Sequence, residues 1–271
     1  MYWLNIVLLG PFRTLLLVLT CVVLVLSACA EAKTPVQMRI VDLSHVVQGH
    51  IPYPPAETLT QIERSADGYA QALRIGLRSG TVAAVVAGSE SRPTVDLLSP
   101  QDLVLPAVRI DLRDRLQDAE HATIELADVQ GWERAHGPIP AGTLVLFVTG
   151  WDLRWGDPAA YLNADAAGDP APPSLSPAVG ELLFTERGVL GLGFDSMAKL
   201  PVLEHRSHWL LLENLTNVEQ VPASGAQVII GALKVQAGLS APARVLALVP
   251  EVGDAPGAPS IRPALSAATG V

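Results

Sequence analysis

Few side chains in this 271-residue sequence could run a reaction, and they lie far apart. The acid–base candidates are His205, His208 and Glu213, with Asp195 upstream at the end of an apolar run. An imidazole and a carboxylate in reach of one another can shuttle a proton. With a further donor they could hold a divalent metal, which needs about three protein ligands and one open position. His45 and His50 flank the start of a proline-rich stretch and read as loop residues. The only cysteines, Cys21 and Cys29, lie near the N-terminus. Gly88–Ser91 (GSES) lacks the flanks of a nucleophile elbow, and no glycine-rich phosphate loop or dinucleotide fingerprint is present.

The N-terminus reads as a targeting segment. Arg13 is followed by an apolar run from Leu15 to Leu26 and then by Ser27, Ala28 and Cys29. A charged start, a short apolar middle and small residues form a secretory signal. The run falls short of the roughly 20 residues that a membrane span needs. Leu26–Cys29 (LSAC) resembles a bacterial lipobox. The resemblance implies cleavage before Cys29, diacylglycerol on its thiol and a place in the cell envelope. A plain signal peptide and an uncleaved anchor are the alternatives. The expected organisation is a signal over 1–28, a tether over 29–37, one domain over 38–250 and a loose tail over 251–271.

With Cys21 removed and Cys29 lipidated, a cysteine nucleophile and a thiolate metal site are excluded. Without Arg13, 17 basic residues face 27 acidic ones, a formal charge of −10. Such a balance, with no basic patch, gives no electrostatic reason to bind nucleic acid.

The elements that must position the candidates follow from pattern. Met38–Leu43 alternates and is rich in β-formers, so it reads as the first strand. Ala70–Leu77, Val104–Leu112, Val189–Phe194, Val228–Val235 and Val245–Val249 read as further strands. Thr143–Val148 is apolar without a break, as a buried strand is. Val82–Val86 is also wholly apolar and reads as a buried segment. A helix is expected from Ile124 to about His136, and a second from Pro177 to Arg187. For the second, Ser176 is the expected N-cap, with Pro177 at its first position and Gly188 after its end.

Several motifs occur in a recognisable order between Arg39 and Pro250: DLSH at 42–45, GT at 80–81, TGW at 149–151, ERGVLGLGFDS at 186–196, ENLTN at 213–217 and PARV at 242–245. In these the chain resembles the cyclase family of metal-dependent hydrolases, whose best-known activity is kynurenine formamidase (arylformamidase). The resemblance implies an α/β fold, a single domain with a mixed β-sheet and flanking helices of the swivelling β/β/α type. It also implies zinc or manganese, hydrolysis of an amide or lactam C–N bond, and association into dimers or tetramers.

The family carries a segment of the form His-x-Gly-Thr-His-x-Asp-x-Pro-x-His. Laid on this sequence, its histidines fall on Arg78, Val82 and Gly88, its Asp on Ala84 and its Pro on Val86. Arg is always protonated and has no acceptor, and Val, Ala and Gly carry no side-chain donor atom. Arg78 would suit an anion or an internal pair with Glu213. The resemblance further implies Glu213 and a preceding histidine, His205 or His208, as catalytic residues. It implies a pocket bordered by Trp151 and Trp155, with Arg78, Thr81 and Asp195 as binding residues.

Two functions follow as expectations. One is an exported lipoprotein without the usual metal ligands, a pseudoenzyme or binding protein for a small molecule such as an aromatic amide. The other is an active formamidase-type hydrolase of an N-formylkynurenine-like substrate. Its metal site would be rebuilt from Glu213, His205 or His208, and Asp195 or His45.

Overall fold

Eight strands form one mixed sheet that closes on itself, because its last strand is long enough to pair with three neighbours. The computed structural model describes residues 37–49, 52, 60–87, 93–117, 123–200 and 208–251. Cys29, Gly88, His205 and the tail beyond Glu251 lie outside these, as does the side chain of His208.

The chain runs through β1 (Met38–Asp42), a ribbon of β2 (Gln61–Arg64) and β3 (Ala70–Arg74), then β4 (Val82–Ala87) and β5 (Val104–Asp111). After α1 (Arg113–Leu116) come β6 (Thr123–Ile124), α2 (Leu126–His136), β7 (Leu144–Val148) and α3 (Pro158–Leu162). Then follow β8 (Ser174–Leu175), α4 (Pro177–Glu181), β9 (Gly191–Phe194), β10 (His208–Glu213), β11 (Ala226–Ala232) and β12 (Ser240–Pro250).

The main sheet has the order β1-β12-β11-β5-β7-β9-β10-β4, and β12 also pairs with β4. The contacts of β5, β7, β9 and β10 are parallel, and those with β11, β12, β1 and β4 are antiparallel. This is the mixed sheet with a few helices expected of the α/β class.

The unbroken apolar run of β7 has a simple cause. Val145 and Phe147 pack into one core cluster with Trp132, Phe184 and Phe194. Leu144, Leu146 and Val148 pack into a second, with Leu212, Val228 and Val245. A strand covered on both faces has no side left for polar residues. β9 next to it alternates glycine with large residues for the same reason. Leu192 and Phe194 fill the first cluster, while a Cβ on Gly193 would come within 2.6 Å of Leu146 Cδ2, and one on Gly191 within 2.6 Å of the Leu210 carbonyl.

Some local expectations are corrected. The last strand, expected over Val245–Val249, begins at Ser240, so β12 takes in the PARV motif. The helix expected over 177–187 keeps α-helical form only to Glu181 and continues as a wider π-turn over Leu182–Glu186. That turn buries Leu182, Leu183 and Phe184 together. Ser176 precedes α4, but its hydroxyl caps nothing. The strand expected over 70–77 ends at Arg74.

Candidate functional site

β4 and β10 run antiparallel and place Val82 opposite Glu213, Ala84 opposite Leu211, and Ala87 opposite the backbone of His208. Alternation along β4 sends Ala84 and Val86 toward the first core cluster and Ala83 into the second. The apolar character of β4 is thereby used: its side chains complete the core on both faces.

Glu213, at the end of β10, is 2% exposed. A buried carboxylate needs partners, or it costs several kcal/mol. It has two. Its Oε1 accepts from the Ala198 amide at 3.0 Å, and the Arg78 guanidinium donates to its Oε2 at 3.2 Å. The Arg78 side chain is 52% exposed, so one side of the pair faces water.

Thr81 and the ENLTN segment tie the other motifs together. The Thr81 hydroxyl accepts from the His45 amide at 2.9 Å and donates to the Asn214 carbonyl at 2.7 Å. Asn214 has a left-handed backbone with φ 58°. Its Nδ2 donates to the Gly80 carbonyl at 2.6 Å, and its Oδ1 accepts from the Tyr161 hydroxyl at 2.7 Å. Thr216 donates to Asp152, and Asn217 donates to the Asp42 carbonyl. One pentapeptide thus joins DLSH, GT and the TGW turn.

Asp195 is 1% exposed, and its carboxylate accepts from the Thr149 amide (2.7 Å), the Thr149 hydroxyl (2.6 Å) and the Gly150 amide (2.7 Å). Burial pushes its pKa up to about 7 in spite of these donors. Trp151 is wholly buried, donates from Nε1 to the Tyr161 carbonyl and is covered by the Arg154 guanidinium 3.8 Å from its ring centre. Trp155 is stacked on the His45 imidazole with ring centres 3.9 Å apart, and meets Tyr161 edge-on. Burial lowers the His45 pKa to about 4, and its Nε2 is buried without a partner among the described residues.

Of the residues singled out in the sequence, the fold brings Arg78 and Glu213 together and holds Thr81 beside them through Asn214. Asp195 is engaged by the Thr149–Gly150 turn, and Trp151 and Trp155 by the core around Tyr161. The side chains of His205 and His208, and Cys29, lie outside the described residues. Tyr161 and the Ala198 amide carried no signal in the sequence, because both act through partners more than 10 positions away.

The family model "Putative cyclase" matches residues 41–199, a span that includes the DLSH, GT, TGW and GLGFDS motifs just described. The chain belongs to the cyclase family. An isatin hydrolase of Roseibium aggregatum is 36% identical in an alignment of 169 residues that covers 58% of this chain and 64% of that relative. Among solved structures, isatin hydrolase A of Ralstonia solanacearum superposes with a TM-score of 0.67 at 29% identity, over 78% of this chain and 92% of that one. An isatin hydrolase bound to the product analogue thioisatinate superposes with a TM-score of 0.70 at 30% identity, over 79% and 93%.

This cyclase-family chain departs from its family at the positions that should hold metal. Arg78, Val82 and Ala84 cannot coordinate a divalent ion, and the oxygens of Glu213 already serve Arg78 and Ala198. Among the described residues, no three His, Cys, Asp or Glu side chains converge as a metal site requires. These positions, among the described residues, do not supply the side-chain donors of the family's motif.

Proposed function

We propose that this cyclase-family protein binds a small molecule without metal-dependent hydrolysis, and that it is held in the cell envelope by a lipid on Cys29. The observation that carries the reading is the Arg78–Glu213 pair. A guanidinium stands where the family places a metal-ligating imidazole, and it satisfies the buried carboxylate of Glu213. The apolar β4 supports the same reading, since small apolar residues remove the cost of burying unpaired ligands. The ENLTN segment is consistent with loss of catalysis too: its bonds hold the fold together and would persist without a reaction. An uncharged aromatic amide is the ligand class closest to the family's substrates. Self-association is proposed on family grounds alone.

A second reading, hydrolysis of a cyclic amide, is favoured by the similarity to isatin hydrolases. The two readings part in one assay. Purified protein is incubated with isatin and with N-formylkynurenine, with and without added manganese or zinc. No turnover above the uncatalysed rate is expected. Turnover that is lost in Glu213→Gln would establish the second reading. The lipid is tested separately by metabolic labelling with a fatty acid, where Cys29→Ser is expected to lose all label.

A further inference from the structure

A cavity of about 420 Å³ lies between the DLSH loop that follows β1 and the turn joining β11 to β12. His45 and Thr81 form the wall it shares with the site above, but neither Arg78 nor Glu213 borders it. Its volume is in the range of small-molecule sites.

The wall is electrically balanced. Asp42 and Arg244 both line it and neutralise each other, the Arg244 Nε donating to Asp42 Oδ1 at 2.9 Å and Nη2 lying 2.6 Å from Oδ2. Burial holds His45 neutral at pH 7. The two hydroxyls on the wall are already bonded: Ser44 to the peptide groups of Val245, Thr81 to His45 and Asn214. A charged ligand would find no unpaired opposite charge to offset its loss of water. What the wall leaves open is apolar surface at Val47, Leu233 and Pro242, and one donor, Arg244 Nη1, which has no partner among the described residues. The Arg244 side chain is 68% exposed, so this donor stands at the solvent side of the cavity, oriented by the two contacts with Asp42.

We propose that this cavity binds an uncharged aromatic carbonyl compound, with its ring against Val47, Leu233 and Pro242 and its carbonyl oxygen accepting from Arg244 Nη1. The site is separate from the former metal position and does not depend on whether that position binds metal.

Calorimetric titration with benzanilide as probe, and with benzoate as its charged counterpart, tests it. Saturable binding of benzanilide and none of benzoate is expected. Leu233→Trp, which fills the cavity from an exposed position, is expected to weaken binding at least tenfold. Arg244→Lys, which keeps a charge beside Asp42 but loses the oriented second donor, is expected to weaken it about tenfold. Arg113→Met, outside the cavity lining, is expected to leave it unchanged. A single cooperative unfolding transition above the titration temperature confirms that each variant is folded. No saturable benzanilide binding, or benzoate binding as tightly, overturns the proposal. So does binding that survives Leu233→Trp but disappears in Arg113→Met. Metal binding is read in a separate titration, so failure of the metal-free reading is distinguishable from failure of this one.

Discussion

Arg78 Nη2 lies 3.2 Å from Glu213 Oε2, one partner half-exposed and the other buried. This asymmetry decides what the pair is worth. Water screens the guanidinium, so the attraction contributes little by itself. Removing it, however, leaves a buried carboxylate with only the Ala198 amide. Arg78→Met is therefore expected to cost about 1–3 kcal/mol in urea denaturation. Glu213→Gln added to Arg78→Met is expected to restore most of that loss, because the orphaned charge is gone. Equal and additive losses would mean that the two side chains are not coupled.

The ENLTN segment is expected to behave as a structural clasp. Asn214→Gly keeps the left-handed backbone and loses the side-chain bonds to Gly80 and Tyr161. About 2–4 kcal/mol of stability should go with them. Asn214→Ala should cost about 1–2 kcal/mol more, since an L-residue other than Asn or Gly resists φ near 58°. Equilibrium unfolding of the two variants separates the bonds from the backbone preference.

His45 and Asp195 predict opposite pH slopes. The folded-state pKa of His45 is about 4 against 6.5 in the open chain, so its contribution is present above pH 6.5 and lost as pH falls toward 4. That of Asp195 is about 7 against 3.8, so the folded state binds its proton more tightly, and stability is lost as pH rises from 4 to 7. Each group contributes a slope of about 1.4 kcal/mol per pH unit, and between pH 4 and 6.5 the two oppose each other. His45→Phe, which keeps the stack on Trp155, should become steadily more stable relative to the parent as pH falls through that window. Asp195→Asn should gain relative to the parent as pH rises through it. Parallel pH profiles for parent and variants would contradict these assignments.

Much of this architecture was legible in the sequence. The run at Thr143–Val148 gave a buried strand because both of its faces are covered, and GVLGLGF gave a strand whose glycines admit Leu146 and Leu210. The order of DLSH, GT, TGW and ENLTN pointed to the cyclase family and its α/β fold. The partners themselves were not legible. Nothing local says that Ala198 offers its amide to Glu213, that Tyr161 reaches Asn214, or that His45 stacks on Trp155. These contacts span from 15 to 110 positions and depend on sheet closure. Closure depends in turn on β12 pairing with three neighbours, which no periodicity within Ser240–Pro250 reveals.

Restoring donors on β4 should restore a metal. Val82 and Ala84 share one face of the strand, and Val82 lies opposite Glu213. Arg78→His, Val82→His and Ala84→Asp together remove the cation that neutralises Glu213 and add three ligands. The triple variant is expected to bind manganese or zinc with a dissociation constant in the micromolar range or below, as read by calorimetry. A triple variant that folds and shows no heat of binding would mean that these positions no longer converge.

The most direct test of the metal-free reading is the titration of the unaltered protein with manganese and zinc, together with the metal content of protein purified without chelator. The expected result is no stoichiometric metal after purification and no binding below the millimolar range. One metal per chain, bound in the micromolar range and lost in Glu213→Gln, would contradict the account and return Glu213 to the role of a ligand.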